Sequence, residues 1–186
     1  MNIDADDFTL LGLPRRFALE RALLDNAWKA LQAKVHPDRF AAEGGASQRL
    51  AMQWAVRVNE AHQRLKDPLK RAAYLCELAG AQVQAHDNTA MPSDFLMQQM
   101  TWREALEEAG NAAEVEALST EVTAQRRARL ARVGELLDGA AAHTDGTAQA
   151  AQAAQAAQEV RALMFIDRLL EEVDTRMQRY EDEEGA

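Results

Sequence analysis

His36-Pro37-Asp38-Arg39-Phe40 stands between two stretches of helical periodicity, and its reading decides the fold. Upstream, Ala18 to Val35 carries Leu19, Leu23, Ala27, Leu31 and Val35 four residues apart, an apolar line expected to face a core. Downstream, after the soft Ala41-Ala42-Glu43-Gly44-Gly45, Ser47 to Lys66 places Leu50, Trp54, Val58, Ala61 and Leu65 three or four apart, a stripe suited to antiparallel packing on the first helix. A residue that precedes proline is pushed out of the α region, so the first helix is expected to stop near His36. The bend then presents an imidazole, a rigid ring and a carboxylate. Functional groups concentrate on exposed loops held by a rigid scaffold. The plainer alternative is that Asp38 satisfies local backbone donors while His36 ends a helix. A His-Pro-Asp tripeptide arises by chance in about one chain in a hundred of this length, so its position between two amphipathic helices carries the weight.

Composition narrows the classes. The 186 residues are 47% hydrophobic and 27% charged, suited to one or two small soluble domains. No run of about eighteen apolar residues occurs, so no membrane span is expected. Met1 to Asp7 is acidic and lacks the basic and apolar regions of a secretory signal. The single cysteine, Cys76, sits in apolar Tyr74-Leu75-Cys76-Glu77-Leu78 and is expected to be a buried small hydrophobe in a reducing cytoplasm. The net charge of −9 is uneven: residues 1–75 hold 12 Lys/Arg against 9 Asp/Glu, and residues 76–186 hold 9 against 21. So acidic a chain is a poor partner for nucleic acid. It also lacks a metal-ligand cluster, a glycine-rich phosphate loop and a convergent nucleophile, so neither an enzyme nor a cofactor or metal is expected. His62 is expected at the surface or the edge of the core.

The remaining punctuation predicts an all-α chain. Phe8 to Leu13 reads as a short apolar helix stopped by Gly12 and Pro14, and Pro68 opens another, Leu69 to Leu78, closed by Gly80. Ala81 to Pro92 has no apolar periodicity and is expected to be a linker, with the domain boundary near residue 85. Three helices should follow over 93–181. Ser93 is placed to cap the first, which ends at Gly110. Asn111 and Glu114 resemble a capping box for the second, which ends near Asp138-Gly139. The third runs from Thr147 to Tyr180 through the alanine–glutamine stretch 148–158, which begins Ala148 to Gln155, a partly frayed extension. Glu181 to Glu184 is expected to be disordered, with 182–186 a tail.

The Ser93–Ala109 stretch has two apolar faces. At 100° per residue, Phe95, Gln99, Trp102, Leu106 and Ala109 gather on one side. Leu96, Met97 and Met100 gather opposite, in line with Glu104 and Glu108. Pattern alone leaves two readings open: these three pack against the first domain or a neighbouring helix, or they form an exposed strip that receives a partner.

Several segments resemble the HscB-type J-domain co-chaperones of iron–sulfur cluster assembly. They are Asp7-Phe8-Thr9-Leu10-Leu11-Gly12-Leu13-Pro14, His36 to Phe40, Asp67-Pro68-Leu69-Lys70-Arg71-Ala72-Ala73-Tyr74-Leu75, and Phe95-Leu96-Met97 with Arg103-Glu104-Ala105-Leu106. The resemblance implies a J-domain over 1–80 and a C-terminal three-helix bundle over 93–181. It implies that His36, Pro37 and Asp38, with Lys29, Lys34 and Arg39, meet a DnaK-type chaperone of the HscA kind and stimulate its ATPase. Ala30 and Ala33 stand where many J-domains add basic residues, so the attraction is expected to be modest. The resemblance also implies that Leu96, Met97, Met100, Glu104, Glu108 and Phe165 bind an IscU-type scaffold protein. Phe165 lies about 100° outside the core stripe of Ile166, Leu169, Leu170, Val173 and Met177. Thr101 departs from the glutamate common in the family. A general J-domain co-chaperone, its bundle not dedicated to iron–sulfur assembly, is the alternative.

Overall fold

The first helix, α1 (Asp7–Leu11), begins where the Asp6 side chain accepts the backbone N–H groups of Phe8 and Thr9. It ends at Gly12, whose φ of 66° lies in the left-handed region that glycine adopts without strain, while Leu13 N–H returns to Phe8 O at 2.8 Å. The computed structural model describes residues 2–83, 91–140 and 146–184, and the regular structure among them is helical. The chain divides into two compact units, Met1–Leu75 and Cys76–Ala186.

In the first unit, α2 (Arg21–Val35) and α3 (Gly45–Lys66) flank a short 3-10 turn, Pro37–Glu43. The two helices run antiparallel: Asp25 pairs with His62, whereas Gln32, further along α2, bonds Asn59, earlier on α3. Their buried seam keeps Leu31, Val35, Val58, Ala61 and Leu65 of the expected lines and departs from them at Leu23 and Leu50. Leu23 is 47% exposed and Leu24 is buried; on α3, Leu50 is exposed and Ala51 buried. The cause is geometric. Four residues overshoot a turn of 3.6 by about 40°, so a line of fourfold spacing winds off the face. Seven residues nearly close two turns, and Leu24–Leu31 and Ala51–Val58–Leu65 repeat at that spacing, with Val35 and Ala61 buried beside them.

α4 (Pro68–Leu78) starts with Asp67 accepting from the N–H groups of Leu69 and Lys70, with Pro68 at a position that needs no donor. The fully buried Asp7 ties the unit together. Its carboxylate meets Arg57 at 2.7 Å and Arg64 at 3.0 Å, and its N–H donates to the Tyr74 hydroxyl at 3.0 Å. His62 is buried, stacked on Trp28 with ring centroids 4.6 Å apart and 2.7 Å from Asp25. That hydrogen bond, with a second from Arg21, holds the Asp25 carboxyl below the usual carboxylate range.

The second unit is built from α5 (Ser93–Glu108), α6 (Ala112–Ala140) and α7 (Gly146–Glu184). Pro92, extended at ψ 139°, takes the capping position that the sequence pattern assigns to Ser93, so no side chain caps α5. The predicted box at α6 does form: Glu114 N–H donates to Asn111 Oδ1 at 3.0 Å, and Glu114 accepts from Gly110 N–H at 2.8 Å. Arg126–Asp167 and Arg129–Glu159 pair in opposite orders along α6 and α7, so these helices are antiparallel. The alanine–glutamine stretch is helical, with Ala153, Ala156 and Ala157 buried and the glutamine Gln155 outside. At the far end Tyr180 donates to Ala109 O at 2.8 Å, as does Arg176 at 3.2 Å. Glu181 to Glu184, expected to be disordered, continues α7, since no proline or glycine intervenes before Gly185. Residues 84–90 of the expected linker lie outside the described residues. Cys76 is buried, which pushes its thiol up to about 12 and leaves it unreactive.

Candidate partner-binding surfaces

The bend between α2 and α3 is shaped by Pro37. His36, at ψ 127°, has left the helical region and serves as the N-cap of the 3-10 turn. Its Nδ1 accepts the Asp38 N–H at 3.3 Å, so a neutral ring carries its proton on Nε2. The Asp38 carboxylate lies 3.6 Å from the same Nδ1 and is 88% exposed, an acceptor directed outward on a braced turn. Lys29 and Lys34 are exposed on α2. Arg39 is used locally: its Nη1 donates to Ala33 O at 2.9 Å, tying the turn to one of the last carbonyls of α2. The structure thus brings His36, Pro37, Asp38 and Arg39 together, with the two lysines on the adjoining helix.

On α5 the two faces separate as their spacing predicts. Phe95, Trp102 and Ala109 are buried in the bundle, with Trp102 Nε1 donating to Glu121 at 2.8 Å. Opposite them Leu96 is 43% exposed, Met97 69% and Met100 62%. Glu104, Glu107 and Glu108 are exposed further along the same side. Thr101 donates its hydroxyl back to Met97 O at 3.2 Å, so it supplies no charge to the rim.

Phe165 on α7 is half-buried. Its ring meets Phe95 edge to face, centroids 6.0 Å apart. The Arg103 guanidinium lies 5.5 Å over its ring and 3.7 Å from Glu172. Along the chain Arg103 figures only as part of the resembling segment Arg103 to Leu106, because only the fold places a residue of α5 over a ring on α7. It lies on the side of α5 toward α7, two turns beyond Leu96. The resulting surface is apolar at its centre and acidic along one margin. Such a surface suits a partner segment with apolar side chains and basic neighbours.

A family model described as the HSCB C-terminal oligomerisation domain matches residues 91–174. The co-chaperone protein HscB homolog of Paraburkholderia phytofirmans is 47% identical over 97% of this chain and 99% of its own length. That of Burkholderia mallei is 51% identical over 94% and 95%. Among solved structures, chaperone HscB from Vibrio cholerae superposes with a TM-score of 0.74 at 38% identity, covering 96% of this chain and 99% of its own. Human co-chaperone protein HscB, at 23% identity, shares the fold with a TM-score of 0.81 over 94% of this chain and 83% of its own.

Proposed function

Because this chain belongs to the HscB co-chaperone family, we propose that it carries an IscU-type scaffold protein to a DnaK-type chaperone of the HscA kind and stimulates that chaperone's ATP hydrolysis. The observation that carries the reading is the pairing of an outward acidic bend on one unit with an apolar strip exposed on the other. Asp38 offers its carboxylate to a cationic side chain of the chaperone, a charge-assisted contact stronger than a neutral one. Pro37 and the hydrogen bond from the Asp38 backbone N–H to His36 Nδ1 brace the backbone that carries this carboxylate before docking, which lowers the ordering cost. Lys29 and Lys34 add a weakly basic flank to the same approach.

Leu96, Met97, Met100 and Phe165 supply the apolar centre for the scaffold, and Glu104 and Glu108 select a basic margin. Unbranched methionines adapt to an irregular partner better than branched side chains do. In this reading the chain does no chemistry of its own and requires no cofactor. Its proposed setting is the cytoplasm, where the buried Cys76 stays a thiol.

The decisive experiment measures ATP hydrolysis by a DnaK-type partner with this chain, with IscU, and with both together. Stimulation that is greatest with both present is expected. Stimulation indifferent to the scaffold, combined with binding of unfolded peptides by α5, would replace this reading with that of a general co-chaperone.

A further inference from the structure

Among the described residues, three methionines are open to solvent: Met52 at 56%, Met97 at 69% and Met100 at 62%. Met91 and Met177, by contrast, pack against the hydrophobic core of the second unit. Thioether oxidation follows access of the oxidant to sulfur. Two of the three open sulfurs stand in the middle of the strip on α5, one turn apart, beside a leucine that cannot be oxidised. We infer that Met97 and Met100 form an oxidative modification site that closes this strip to its partner. The consequence for binding rests on the function proposed above; the selectivity of oxidation does not.

The oxidant is hydrogen peroxide. The thioether sulfur attacks one peroxide oxygen, the O–O bond breaks and an S–O bond forms. The departing hydroxide takes the remaining proton and leaves as water, so sulfur is oxidised by two electrons while peroxide is reduced by two. Each sulfoxide places a strong acceptor where docking would bury an apolar group. An acceptor buried without a donor opposes association, and the lost apolar contact adds to that. Both side chains point away from Phe95 and Trp102, so the bundle core is untouched and α5 stays folded. Reduction by methionine sulfoxide reductases reverses the change.

The full-length protein is treated with peroxide and digested for mass mapping, and its affinity for IscU is measured before and after. Met52, Met97 and Met100 are expected to gain one oxygen well before Met91 and Met177. Affinity should fall at least about tenfold, for two apolar anchors lost, and return after reductase treatment. The double variant Met97→Leu/Met100→Leu should keep whatever affinity it starts with through oxidation, because leucine carries no sulfur, whereas Met52→Leu should lose affinity on oxidation as the wild type does. Affinity that survives oxidation of both sulfurs within twofold overturns the inference, as does oxidation no faster at Met97 and Met100 than at Met177. If the untreated chain does not bind IscU at all, the assignment of the strip fails and the switch fails with it.

Discussion

Asp7 shows how much a single carboxylate decides in the first unit. Its oxygens are fully enclosed and face Arg57 and Arg64, while Arg57 also donates to Ala5 O at 2.9 Å. Asp7→Ala leaves two guanidinium groups without their anion. Because Arg64 is partly open to water, the expected loss is about 2 kcal/mol, below the range for a fully buried pair. A urea denaturation midpoint unchanged from wild type would contradict this. Asp6 makes a pH prediction. Burial alone would raise its carboxyl, but hydrogen bonds from Arg15 and Thr9 outweigh that and hold it down at about 2, from an ordinary 3.8. A carboxylate with a lowered folded value stabilises the fold fully above about pH 4, and that contribution drains away as pH falls toward about 2. Asp6→Asn should therefore flatten the acid limb of the stability curve in that interval. An acid limb of undiminished slope in the variant would assign it to other groups.

Among the elements, α7 holds the clearest contrast between neighbouring positions. Its alanine–glutamine stretch has one buried side, with Ala153, Ala156 and Ala157 enclosed and Ala154 outside. Ala156→Glu forces a charge into that closed side and should cost at least about 2 kcal/mol, whereas Ala154→Glu should stay within about 0.5 kcal/mol of wild type. Thermal unfolding of the two variants tests this; equal midpoints would mean the stretch bears no load. The α6 cap makes a smaller prediction. Asn111→Ala removes the acceptor of the Glu114 N–H and should cost about 1 kcal/mol, seen as faster amide exchange confined to the first turn of α6. Exchange unchanged in that turn would show the cap to be redundant.

For the whole molecule, the proposed function demands that both surfaces belong to one chain. Asp38→Asn should abolish stimulation of the chaperone while helicity and IscU binding persist. The double variant Leu96→Ala/Met97→Ala should do the reverse, because both side chains lie outside the core. Mixing the two full-length variants should not restore scaffold-enhanced hydrolysis, since neither chain can present cargo and stimulate at once. Recovery in the mixture would mean that the two activities are independent, and delivery would have to be abandoned.

Local chemistry alone determined much of this protein. Proline before Asp38, glycine after Leu11 and the Asn111–Glu114 box act within a few residues of themselves, so the helix ends they set are legible along the chain. The two faces of α5 are equally legible, because both arise from one helical period over sixteen residues. Tertiary structure decided what depends on distant partners. Which member of Leu23–Leu24 or Leu50–Ala51 enters the core follows from the rotation of one helix against another, which shifts by 100° from one residue to the next. The enclosure of Asp7 by Arg57 and Arg64, the Asp25–His62 pair and the placement of Arg103 over Phe165 join residues tens of positions apart. Such pairings leave no period or spacing in the sequence, because only the packing of finished helices brings their charges and rings within reach.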